Sequence, residues 1–182
     1  MTKISTTQVL KGLYVLSWII FIGICIEAGG FIVNAFFGLV KPTVVKYLWK
    51  EVDLSDLLYY DRGYFFTLTL IMSIVAVLKA WLFYRVIKIL HDKKLNMVQP
   101  FNNEMGRFIF TIAYVALLIG LFSGSGVKYA EWLVRHGVTI PDMQYLRLGG
   151  ADVWLFMSVT LFVIAQIFKK GIDIQTENEL TV

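Results

Sequence analysis

The sequence is short of most of what soluble chemistry is built from. It holds a single cysteine, Cys25, so no disulfide can close within the chain. Its two histidines, His91 and His136, stand alone, and no Cys/His cluster suggests a metal or other cofactor. There is no Ser/His/Asp set, no glycine-rich phosphate loop and no His-x-x-x-His pair, which argues against an enzyme. Charged residues make up 16% of the chain, against about 25% in soluble domains. The net charge of +4 is spread along the sequence without a basic block, so direct nucleic-acid binding is not expected. Proline occurs three times, at Pro42, Pro100 and Pro141, and each falls between apolar runs.

What is present is apolar. Hydrophobic residues account for 58% of 182 positions, more than a soluble protein of this size could hide. They gather into runs long enough to cross a hydrocarbon core of ~30 Å. The expected fold is an all-α membrane protein, a four-transmembrane-helix bundle forming one domain over 1–182. Its spans fall at about 12–40, 64–90, 104–123 and 151–168. Lys3 and Lys11 ahead of the first run resemble the start of a signal peptide. Glu27 and the continuation to Val40 argue instead for an uncleaved span.

The second run, Tyr64 to Leu90, carries Lys79 near its middle. A lysine at that depth costs roughly 2.5–3.5 kcal/mol on insertion scales and needs a partner, a wet cavity or a route to the interface. Glu27 is the only carboxylate within the first run. On a helical wheel Gly23, Gly30, Asn34 and Gly38 lie within about 60° of Glu27. Lys79 shares a sector of about 120° with Thr69, Ser73, Ala76 and Ala80. Small residues let helices approach in lipid, and polar ones bond across the contact. Glu27, Lys79 and Asn34 are therefore the candidate intramembrane polar site. Three readings stand: Lys79 snorkels to the interface, it pairs with Glu27 directly or through water, or the group forms a transport or proton path.

The connectors carry weaker signals. Val44 to Leu58 mixes aromatic, apolar and charged residues and suits a short interfacial helix after the first span. Asn102 or Asn103 can cap the third helix. Ser123-Gly-Ser-Gly126 predicts a loosened stretch after the third span, beyond which Val127 to His136 can resume the helix as a polar, aromatic extension. Val138 to Ile140 and Gln144 to Leu148 alternate weakly, predicting a short strand pair as an extracytoplasmic cap before the fourth span. Further small stripes, Ala113, Ala116, Gly120 and Gly124 on one helix and Ala151, Ser158 and Ala165 on another, are satisfied either within four helices or in a homodimer. The basic residues of the short 91–103 loop crowd the membrane ends and place both termini in the cytoplasm.

Two segments carry a resemblance. Gln99-Pro-Phe-Asn-Asn-Glu-Met-Gly-Arg107 leads into the third span, and Ile167-Phe-Lys-Lys-Gly-Ile-Asp-Ile-Gln-Thr-Glu-Asn-Glu-Leu-Thr-Val182 closes the chain. With four spans and this length, they resemble the DUF2975 family of small bacterial integral membrane proteins. Pro100, Phe101, Glu104 and Arg107 match the family's first pattern. Phe168, Lys169, Gly171, Glu177, Asn178, Glu179, Leu180 and Thr181 match the second. The usual arginine or leucine-arginine step is reduced here to Gly106-Arg107. The resemblance implies the bacterial inner membrane and a membrane component paired with a small cytoplasmic helix-turn-helix regulator. The expected partner surface is then Pro100, Phe101, Glu104, Arg107, Gly171, Glu177, Asn178 and Glu179.

Overall fold

The computed structural model describes residues 6–41, 52–92 and 101–180. Among these residues the regular structure is entirely helical. The helices are α1 (Thr6–Val40), α2 (Ser55–Tyr60), α3 (Arg62–His91), α4 (Asn103–Arg135) and α5 (Ala151–Leu180). All but α2 are long and apolar enough to cross a membrane, the architecture of a multi-pass membrane protein.

The spanning helices form a row. α1 packs along α3, α3 along α4, and α4 along α5, while α1 and α5 make no comparable contact. The inner pair is consequently well buried and the outer pair is not. Ile19, Ile26 and Phe36 on α1 and Val153, Phe156 and Ile167 on α5 stand exposed, as side chains facing lipid would. Small residues set the contacts. Ala113 and Ala116 are fully buried, and a Cβ on Gly120 would lie 2.8 Å from the Leu155 side chain and 3.1 Å from its backbone nitrogen. Ser158 and Ala165 sit buried on α5. Thr69 and Ser73 on α3 are buried with their hydroxyls donating to the carbonyls of Phe65 and Thr69, so they cost little in an apolar contact.

Two rings of aromatics mark the ends of the row. Tyr60, Tyr64, Tyr129 and Trp132 stack at one end. Tyr14, Trp18, Phe21, Tyr84 and His91 are in ring contact at the other, mostly edge-on or tilted. Tyr64 and Tyr84 are about 30 Å apart by helical rise, which matches a hydrocarbon core bounded by aromatic belts. The N-terminal end of α1 and the C-terminal end of α3 meet at the second ring, through Tyr14 and His91.

Several connectors differ from expectation. The third spanning helix runs on to Arg135, as the extension over 127–136 predicts, but passes through Ser123-Gly-Ser-Gly126 without loosening. Gly126 is small because Leu148 and Ile71 press against it, 2.8 and 2.9 Å from where a Cβ would stand. Close packing, not a chain break, explains the glycine. The fourth helix continues past Phe168 through the polar tail. Asn102, not Asn103, caps α4, its side chain accepting from the Met105 backbone N–H at 2.8 Å. The expected interfacial helix lies mostly outside the described residues; its described part is α2, whose approach and first turns bury Val52, Leu54, Leu57 and Leu58 against the bundle. No strand pair forms among residues 138–150, which are irregular with a turn over 143–147. The alternation there is real, since Leu146 and Leu148 are buried on either side of exposed Arg147. Those leucines insert among helices instead of meeting a partner strand.

Candidate functional site

α5 begins beside Gly124, whose added Cβ would rest 3.6 Å from the Ala151 side chain. α4 continues for about 16 Å beyond that point, and the 136–150 segment occupies the space alongside it. Irregular backbone at this depth is tolerated only where protein or water satisfies its polar groups. Tyr145 N–H donates to Asp142 O at 2.9 Å and Arg147 N–H to Gln144 O at 3.3 Å. The Arg147 carbonyl accepts from Lys79 Nζ at 2.9 Å. The half-buried Lys79 thus serves as a donor to a loop carbonyl that a helix would have satisfied internally.

Arg147 is the residue that sequence reasoning missed. Its φ of 56° makes it the only described residue other than glycine in the left-handed region. A bulky side chain there costs on the order of 1–3 kcal/mol and persists only when its surroundings hold it. Leu146 and Leu148 anchor both flanks, and Lys79 holds the carbonyl. The guanidinium reaches α1, where Nη2 meets Glu27 Oε1 at 2.9 Å. Lys79 Nζ also lies 5.9 Å from the centre of the Trp154 ring, at the start of α5. One loop residue therefore gathers a carboxylate from α1 and an ammonium from α3. The signal in the sequence is an arginine between two leucines ahead of Gly149-Gly150, an alternation that equally suits a strand.

Comparison with protein-family models, curated proteins and solved structures finds no match.

Glu27 and Lys79 are thus joined in a three-residue arrangement, in which each meets Arg147 through a different group. Asn34 lies two turns along α1 from Glu27 and is 2% exposed, with its Oδ1 lacking a hydrogen-bond partner. On the same wheel Gly38 is closed by the Phe65 ring, while Gly23 stands open, so only part of the α1 stripe is a packing surface.

The second predicted surface divides. Pro100 and the side chains of Asn178 and Glu179 lie outside the described residues. Phe101 is an internal clasp: its ring sits 5.2 Å from that of Phe168 and 2.6 Å from the position of a Cβ on Gly171. The spacing of that phenylalanine and that glycine is explained by packing between the start of α4 and α5. Glu104 and Arg107 line a recess between α3 and α4, and Glu177 is exposed on α5. Gly171→Leu should expel the Phe101 ring and destabilise the bundle by about 1–3 kcal/mol. Adding Phe101→Ala should recover part of that loss. Thermal unfolding of the two variants in detergent checks the pairing, and equal melting temperatures for Gly171→Leu and the parent would disprove it.

Proposed function

We propose that this chain is a regulatory or sensor-type component of the bacterial inner membrane, with both termini in the cytoplasm. The observation that carries the reading is the Glu27–Arg147 ion pair. α1 packs extensively on α3 alone, and this pair ties it to the loop that leads into α5. A charged clasp between α1 and the loop ahead of α5 can serve as a two-state element: whatever competes for Glu27 or Arg147 shifts the population toward an unclasped α1. The opposite end, with Glu177 and the α5 tail, presents the output surface. The partner implied by the family resemblance is a small helix-turn-helix regulator; a homodimer is a further assembly that the open α1 face would admit.

Removing Thr176 to Val182 tests the output surface without touching Gly171. Capture of the regulator from purified components should fall at least about tenfold, a loss of about 1.4 kcal/mol in binding, while membrane insertion is unchanged. Undiminished capture would put the surface elsewhere.

Asn34 favours a second reading. A buried, unpartnered amide oxygen on the same face as Glu27 suits the wall of an ion or proton path. Under that reading Asn34→Leu and Glu27→Gln both abolish proton movement into liposomes. Under the sensor reading there is no such flux to lose.

A further inference from the structure

The recess between the C-terminal end of α3 and the start of α4 is lined by Arg85, Lys88, Ile89, Asp92, Glu104, Arg107 and Phe108, and encloses about 260 Å³. Among the described residues three cations face two carboxylates there, and Asp92 and Glu104 have further contacts. Among the described residues, none of the three cations takes part in an ion pair. Arg85 Nε is fully buried without a hydrogen-bond partner. Arg107 commits only its Nε, to the Asn103 carbonyl at 3.4 Å, which leaves its terminal nitrogens available. That nitrogen of Arg85 is closed off from the recess, so an anion there would meet Arg85 through its terminal nitrogens and offset part of the cost of burying the guanidinium.

The place of the recess narrows the anion. Trp81 and Tyr84 stand exposed on α3 just before it, where an aromatic belt meets the headgroups. Lys88 follows Tyr84 by one turn, about 6 Å further out, the level of lipid phosphates. Two guanidinium groups and an ammonium suit a phosphate oxygen set, because arginine can bind it through paired N–H groups. Ile89 and Phe108 supply an apolar wall for the glycerol end of a lipid.

We propose that this recess binds a phosphate group, supplied by the headgroup of an anionic phospholipid. The proposal rests on the membrane-spanning architecture and is independent of any regulatory partner.

The test uses the full chain in nanodiscs of phosphatidylcholine with an equal share of phosphatidylglycerol. Lipid retained on release into the gas phase is counted by native mass spectrometry. The parent protein should keep phosphatidylglycerol over phosphatidylcholine by about tenfold or more, and Lys88→Gln with Arg107→Gln should reduce that preference to near unity. Lys88→Gln alone, at an exposed position, gives an intermediate preference and covers the case in which the double variant fails to fold. Lys169→Gln with Lys170→Gln, exposed at the same end but outside the recess, should leave the preference intact. Inorganic phosphate added to pure phosphatidylcholine discs separates the sources. If it raises the melting temperature with the same dependence on Lys88 and Arg107, and phosphatidylglycerol adds nothing, free phosphate is the ligand and the headgroup assignment is overturned. An absent preference, or one that falls equally in the Lys169/Lys170 variant, overturns the site itself.

Discussion

Arg147→Met should destabilise the protein by about 3 kcal/mol when Glu27 is present, and by far less in a Glu27→Gln background. The physical reason is the position of the pair. Within the protein the Glu27 side chain keeps 31% of its exposure and Arg147 keeps 59%. Both groups lie between the aromatic rings, so what surrounds them beyond the protein decides their energy. In water such a pair contributes about 0–1 kcal/mol. In a low-dielectric setting, removing one partner strands the other charge and costs about 3–5 kcal/mol. The double-mutant coupling, measured by reversible unfolding in mixed micelles, therefore reports the medium as well as the contact. A coupling below about 1 kcal/mol would mean a water-bathed pair too weak to act as a clasp. Lys79→Met belongs to the same experiment. It removes the donor to the Arg147 carbonyl, a loss of about 0.5–1.5 kcal/mol for one exposed hydrogen bond. Because Lys79 and Glu27 act through one residue, their effects should not add.

Gly126→Val should be nearly as damaging, although Gly126 touches no charge. A Cβ there meets Leu148 at 2.8 Å and Ile71 at 2.9 Å. Ile71 belongs to a packed helix and cannot withdraw far, so Leu148 must leave. Leu148 is fully buried, and its expulsion drags the neighbouring Arg147 away from both Lys79 and Glu27. The expected cost is about 2–3 kcal/mol from overpacking, together with a longer α1-to-loop distance. Spin labels on α1 and on the 138–145 turn would register that distance. Gly29→Ala is the control, since nothing lies within 4 Å of its added Cβ. It should leave stability unchanged or raise it by up to about 1 kcal/mol through helix propensity. A Gly126→Val protein with parental stability and spacing would show that Leu148 does not hold Arg147 in place.

The small-residue positions show how far patterning could be read. Ala113, Ala116, Gly120, Ser158 and Ala165 were legible because a recurring small side chain in an apolar helix has one common use, close approach of a neighbour. Gly126 was not, because a glycine next to serine reads equally as a helix end. Phe101 and Gly171 looked like a surface pattern, and only their contact across the sequence reveals a clasp. Lys79 was legible as a problem needing a solution. Its solution was hidden, because the acceptor is a backbone carbonyl, and every residue has one.

The sequence by itself determined the number of spans, the approximate depth of Glu27 and Lys79, and the need to shelter both. Those follow from transfer energies, which depend on composition and length alone. The tertiary structure decided the row order of the helices, the descent of the 136–150 segment between the aromatic rings, and the choice of Arg147 as the partner to both charges. Those depend on which side chains fit against which grooves, a matter of shape between segments distant in the chain.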